Sequence, residues 1–247
     1  MHTTNWKLKQ LLLCHLIVAL LIGSLLWPVT AGLWRSIDVL FFKAVNSTLE
    51  NRPEWQVFWA LANHKLADWV EDVVILLFWF TLIRAIPRNE RTRGVAQFVF
   101  CTLFVAAILY FVNRMLFRET LVIPRESPTL LIDSSIKLSE HIRWMKIKDD
   151  SSYSFPGDHG TTAILFAATF AAFSKSWRAK FFAWAYAAFL CMPRLITGAH
   201  WLSDVVVGSG SITLFFWGWA FYSPLAKRCI DGIERVFKRP KVIHEKS

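Results

Sequence analysis

Residues 154–173 read "SFPGDHGTTAILFAATFAAF". One proline, two glycines, an aspartate and a histidine crowd in just before a run with no charge from Thr161 to Phe173. Pro156 in a first turn with Asp158 beside it is, alone, an ordinary helix start. A histidine at the mouth of a hydrocarbon-like segment is not explained that way. The stretch therefore poses two questions: whether the run crosses a membrane, and whether chemistry sits at its polar end.

Composition answers the first. Of 247 residues 55% are hydrophobic, with 13 Trp and 21 Phe, which is too apolar for an ordinary soluble domain. Further apolar runs lie at 11–29, 69–86, 95–112, 181–196 and 205–222. A helix needs about 20 residues to cross a ~30 Å hydrocarbon core. Runs 161–173 and 181–196 reach that length only if flanking residues join them, which draws "PGDH" into the first turn. The expectation is an all-α integral membrane protein of six transmembrane helices in a single domain, 1–247. No internal repeat, low-complexity tract or second-domain boundary is visible.

Placing the N-terminus inside puts 16 of the 28 basic residues, but only four of the 18 acidic ones, on the inner side. They begin at Lys7 and Lys9 and end in a cluster from Lys227 to Lys246 that includes Arg239 and Lys241, with Glu245 among the acids. The positive-inside rule favours this orientation, with both termini cytoplasmic. It also accounts for the +10 net charge without nucleic acid. The first run resembles a signal peptide with at most a weak cleavage site after Ala31, and is kept as a span. Cys14, Cys101 and Cys191 fall in or at apolar runs and Cys229 is inside, so neither a disulfide nor a C-x-x-C metal spacing is expected.

Two long segments lie outside. In 31–68, Ile37, Leu40, Phe41 and Val45 recur at helical spacing, as for a helix lying in the headgroup region that braces the membrane surface or walls a lipid groove. "NST" at Asn46 matches a glycosylation acceptor, a match three residues make cheaply. Segment 113–155 is the most charged outer region. His2 and His244 read as terminal, His15 as a packed span residue, and His64 and His141 as solvated loop residues.

The outer rim gathers "FRETLVIPRESPTL", "SFPGDHG" and "PRLITGAHWLSD". These bring Arg118, Arg125, Arg194, His159, His200 and Asp204 to one membrane face. Singly, each has a bland reading: a snorkelling arginine, or an exposed histidine–aspartate pair. Together they mark a functional site, because charge near a membrane is costly unless paired or wet. His200 and Asp204, four apart, are expected on one face of a starting helix, where Asp204 would take a ring proton and leave the other nitrogen nucleophilic. Arginine forks fit phosphate oxygens. The N–H groups opening the "PGDH" helix favour an anion, and Gly157 permits close approach.

The order R-x6-R, P-G-D-H and R-x5-H-x3-D resembles the type 2 phosphatidic acid phosphatase superfamily, whose signature is K-x6-R-P, P-S-G-H and S-R-x5-H-x3-D. The likeness runs from Arg118 to Asp204. Arg118 stands for lysine, "ESP" follows Arg125, Gly157-Asp158 replaces Ser-Gly, and Pro193 replaces Ser. "RESPTL", "SFPGDHG" and "PRLITGAHWLSDVVVGS" are similar to the lipid A phosphotransferase branch, with "LANHKLAD" (61–68) a weaker part of the same rim.

The resemblance implies a six-helix core in a bacterial inner membrane with a periplasmic site and no cofactor or metal. It implies transfer of the terminal phosphate of undecaprenyl diphosphate, the donor, to the 1-phosphate of lipid A, the acceptor. His200 would attack phosphorus, oriented by Asp204, and His159 would protonate the leaving group. Arg118, Arg125, Arg194 and the Gly157 backbone would hold the phosphoryl group. Asp158 is expected to orient Arg125 or limit water. Two other readings stay open: an undecaprenyl-diphosphate or phospholipid phosphatase, and a non-enzymatic membrane anion-binding or transport protein.

Overall fold

The computed structural model describes residues 6–238, so His2, Arg239, Lys241, His244, Glu245 and Lys246 lie outside the described residues. The described chain is mainly helical, except for a largely irregular stretch, 122–157, that holds one short pairing at Arg125. Its elements are α1 (Leu8–Leu26), α2 (Pro28–Asn46), α3 (Pro53–Ala62), α4 (Lys65–Ala85), α5 (Arg91–Ala107), α6 (Pro128–Leu131), α7 (Leu138–His141), α8 (Asp158–Phe173), α9 (Trp177–Ile196), α10 (Gly210–Tyr222) and α11 (Leu225–Phe237). Helices occupy all six apolar runs. Four are long and apolar enough to cross a membrane: α1, the stretch Arg88–Leu121, α9, and Asp204–Tyr222. Of the other two, α4 carries Asp68, Glu71 and Asp72 in its first turns, and α8 has only 16 residues.

Several boundaries differ from those read in the sequence. The first helix stops at Leu26 rather than 29, because Trp27 is extended and Pro28, fixed in φ and lacking an N–H, opens α2. α5 does not end at 112. It continues as a π-wound stretch, Ile108–Leu121, that carries Arg118. The polar residues that suggested a loop are instead helical. α11, unexpected from the apolar runs, packs on α5 through Arg93, which reaches Asp231 at 2.8 Å and Glu234 at 2.7 Å.

α2 is the outer helix expected from the pattern, but its buried face differs. Asp38, Phe42 and Asn46 point inward while Leu33 and Leu40 are exposed. Polar groups face the protein and apolar groups face outward, as suits a helix resting against hydrocarbon. The Asn46 amide donates to the Ile136 and Ile196 carbonyls and accepts from Ile136 N–H. Asn46 is 3% exposed, so this carboxamide is a structural tie and not a glycan acceptor.

Small residues let the central helices approach. Ala163 and Ala167 of α8 meet Ala183 and Ala187 of α9, all buried, with Trp79, Phe100, Phe166 and Phe170 filling the space around them. Such close packing holds helices together where lipid removes the hydrophobic drive. α1 is largely outward-facing and is pinned to α10 where Trp219 Nε1 donates to His15 Nε2 at 3.1 Å. Gly218 lets the two backbones approach, since a Cβ there would lie 3.1 Å from that of Cys14. The four cysteines are free.

Candidate active site

The helix ends bring the motif residues to one end of the bundle. Arg118 lies near the end of the α5 extension, His159 is the second residue of α8, and Arg194 sits in the last turn of α9. His200 falls in the turn that follows, and Asp204 opens the helix leading to α10. A short parallel pairing sets Arg125 beside 151–154: Arg125 N–H donates to Ser152 O (3.1 Å) and Ser154 N–H to Arg125 O (2.8 Å). Gly198, at φ +81°, turns the chain after α9. A Cβ there would stand 2.5 Å from Thr129 and 2.9 Å from Phe42, so only glycine fits. The turn lets the Arg194 carbonyl accept from both Ala199 N–H (3.0 Å) and His200 N–H (3.2 Å).

His200 is 3% exposed, and its Nδ1–H donates to Ser154 O at 2.6 Å. That bond fixes the tautomer and leaves Nε2 with a lone pair, buried and without a partner. A buried polar atom left unpaired needs a reason, and a nucleophile awaiting a substrate is one. The orienting group is not the one expected. Asp204 Oδ2 is 3.7 Å from Nδ1, too far for a hydrogen bond, because His200 precedes the helix and does not share its face. Asp204 accepts instead from Trp201 N–H (2.8 Å) and from Arg125 Nη1 (2.6 Å).

Arg125 is held from three sides, since its Nη2 also donates to Ser203 Oγ (2.7 Å) and to Asp38 Oδ2 (2.9 Å). Asp38, 2% exposed, accepts in addition from Ser203 N–H (2.8 Å) and the Ser203 hydroxyl. Burial raises the Asp38 carboxyl above its ordinary pKa, although Ser203 and Arg125 pull the other way. Sequence reasoning missed this residue. Its one available signal was an acid on the α2 face that also carries Phe42 and Asn46.

Around His159 the contacts form a chain. Asp158 and His159 precede the apolar run that begins at Thr161. Arg118 Nη2 donates to Asp158 Oδ2 at 2.6 Å, and Asp158 Oδ1 accepts from the His159 N–H (2.9 Å) and Nδ1 (3.0 Å). Asp158 thus pairs with Arg118, not Arg125, and occupies one of the backbone donors expected to meet phosphate. Burial works against its carboxylate, but the His159 ring and Arg118 outweigh this and hold it well below the usual range. Arg194, 8% exposed, donates through Nη1 to Asn63 O (3.2 Å) and through Nη2 to His159 Nε2 (3.0 Å). A guanidinium only donates, so the ring is neutral in that contact. Asp68 Oδ1 stands 3.6 Å from the same nitrogen. Burial lowers the His159 pKa, the Asp158 and Asp68 carboxylates raise it, and the balance lies above the ordinary value. The rim at 61–68 therefore contributes Asn63 and Asp68.

Gly157 packs near His200, where a Cβ would lie 3.7 Å from Nδ1, an ordinary contact. Two cavities flank the site. A small one, about 170 Å³, opens beside His159 and is walled by Asp68, Glu71 and Asp72. The other, about 1270 Å³, reaches Arg125 and Asp38 from the α1–α2 side.

Residues 121–228 match the PAP2 superfamily. The chain is also 29% identical over 238 residues to lipid A 1-diphosphate synthase of Escherichia coli (strain K12), covering 93% of this chain and 94% of that protein. No solved structure matches. With the arginine, histidine and aspartate motif brought to one end of the bundle, these matches make the chain similar to the PAP2 superfamily over residues 121–228 and support a membrane-associated helical enzyme of the phosphatase and phosphotransferase type.

Proposed function

We propose that the protein is a lipid A phosphotransferase that passes the terminal phosphate of undecaprenyl diphosphate to the 1-phosphate of lipid A through a phosphohistidine. The observation that carries the reading is the bare, buried Nε2 of His200, with its partner nitrogen fixed on Ser154 O. In the first step the Nε2 lone pair forms a bond to the terminal phosphorus and the bridging P–O bond breaks. His159, protonated on Nε2 once the substrate's phosphate draws Arg194 away from that nitrogen, gives the proton to the departing lipid phosphate. In the second step an oxygen of the acceptor phosphate bonds to phosphorus, the P–N bond breaks and His200 is restored, while His159 takes back a proton from the acceptor or from water.

Arg118, Arg125 and Arg194 lower the repulsion between the anionic partners and stabilise the charge of the transition state. A phosphate acceptor (second pKa about 6) is already largely ionised at neutral pH and needs little base assistance. Asp158 supports a transferase over a phosphatase by tying Arg118 across the helix start, which narrows the path of water to the intermediate. The enzyme is read as spanning the inner membrane six times, with α4 and α8 joining the four apolar spans and the site facing the periplasm.

The test is to incubate the purified protein with undecaprenyl diphosphate labelled in its terminal phosphate, with and without lipid A. Label on lipid A is expected. Release only as inorganic phosphate, whether or not acceptor is present, would identify a phosphatase.

A further inference from the structure

The larger cavity is a cleft of about 1270 Å³, beyond the ~300–1,000 Å³ of ordinary small-molecule sites. Its walls come from α1, α2, the α5 extension and α10, and are apolar for most of their length, as at Val18, Ile22 and Phe215. The polar lining gathers at one end, where Arg35, Asp38, Arg125 and Glu126 meet. Arg125 belongs to the phosphate motif. Arg35 is exposed, and among the described residues no carboxylate lies within 4.0 Å of it. The cleft thus runs up to the motif's Arg125 as a hydrocarbon-lined space whose polar end holds two cations, Arg35 and Arg125, beside two acids, Asp38 and Glu126. Arg125 is paired with Asp38 and Asp204, which leaves Arg35 as the cation there with no carboxylate partner among the described residues. The small cavity on the other side, about 170 Å³, has too little apolar wall for a long chain and carries three acids, Asp68, Glu71 and Asp72, against one basic group, His159. Only one of the two suits an amphiphile whose polar end is a phosphate.

We propose that this cleft holds the single long hydrocarbon chain of the polyprenyl diphosphate donor, with Arg35 as an anchor for its head and Arg125 leading it to His200. A single groove suits one chain better than a multiply acylated acceptor. The inference rests on the phosphotransferase reading for the donor's identity, but it is tested by binding as well as turnover.

In nanodiscs, undecaprenyl phosphate with a diazirine at its distal end is photolysed with the unmodified protein, and labelled peptides are mapped. Label on α1, α2 and α10, competed by unlabelled undecaprenyl phosphate but not by equal phosphatidylglycerol, is the expected result. Label elsewhere, or equal competition by phosphatidylglycerol, overturns the proposal, the second outcome meaning that the cleft holds bulk lipid. In parallel, Ile22→Trp fills the cleft away from the reacting groups. It should raise KM for the long-chain donor at least about tenfold, the equivalent of one or two buried methylenes. A short-chain, water-soluble prenyl diphosphate should react unchanged, which also shows the variant is folded. An unaltered long-chain KM overturns the cleft assignment and leaves the phosphotransferase reading standing. Specific labelling of the cleft without any transfer to lipid A would do the reverse.

Discussion

At the scale of the residue, the proposed mechanism divides the work between His200 and His159 because their surroundings differ. His200 has one nitrogen fixed on a carbonyl and the other bare, so His200→Ala should lower transfer at least about a thousandfold and abolish acid-labile label on the protein. His159 lies between Asp158 and Asp68, which raise its pKa against burial. A proton donor with a raised pKa stays loaded to higher pH, and the rate falls as pH rises through that pKa. Asp68→Asn removes one of the two carboxylates, so the alkaline limb of the kcat/KM profile should move to lower pH. An unmoved limb would show that another group sets it. Asp38 works through Arg125 and is a positioning residue. Asp38→Ala leaves Arg125 one carboxylate short and strips Ser203 of its acceptor. The cost should be about 3 kcal/mol, the usual price of breaking a buried pair, read as a lower Tm in detergent.

At the scale of the element, the turn between α9 and the helix leading to α10 sets the geometry of the site. Gly198→Ala adds both a left-handed strain and a collision with Thr129 and Phe42, together about 3 kcal/mol. The variant should lose transfer activity along with thermal stability. The gathering of Arg194, His159 and His200 at one end of the bundle was legible because helix ends carrying arginine and histidine in a membrane protein have few other uses. The His200–Asp204 contact was misread since a spacing of four places two side chains together only within a helix, and the helix begins after His200. Asp38 escaped notice for a different reason. A buried polar face on a lipid-facing helix reverses the periodicity that marks an amphipathic helix in water. The continuation of α5 through Arg118 was hidden by its polar residues, Asn113, Arg114, Arg118 and Glu119, which read as a loop. α11 was hidden as well, because it is held by amphipathy and by the half-buried Arg93 pairs to Asp231 and Glu234, which no apolar run announces.

At the scale of the whole molecule, the pattern of apolar outside and polar within the site end follows from a chain surrounded by hydrocarbon. Basic residues at the opposite end, among them Arg84, Arg91 and Arg93, support the orientation proposed above, which the positive-inside rule favours. α8 matters most at this scale. Its 16 residues rise about 24 Å, against the ~30 Å of a hydrocarbon core. On the six-span reading proposed above, a helix that short, screened from lipid by α5, α9 and α10, meets the mismatch inside the protein and leaves His159, at its outer end, below the level of the surrounding headgroups. The reacting end of a long-chain substrate then meets His159 without being lifted out of the bilayer. Transfer should accordingly slow as reconstituted vesicles are made from lipids with progressively longer acyl chains, at constant headgroup and fluidity; a rate indifferent to bilayer thickness would show that α8 ends at the ordinary surface.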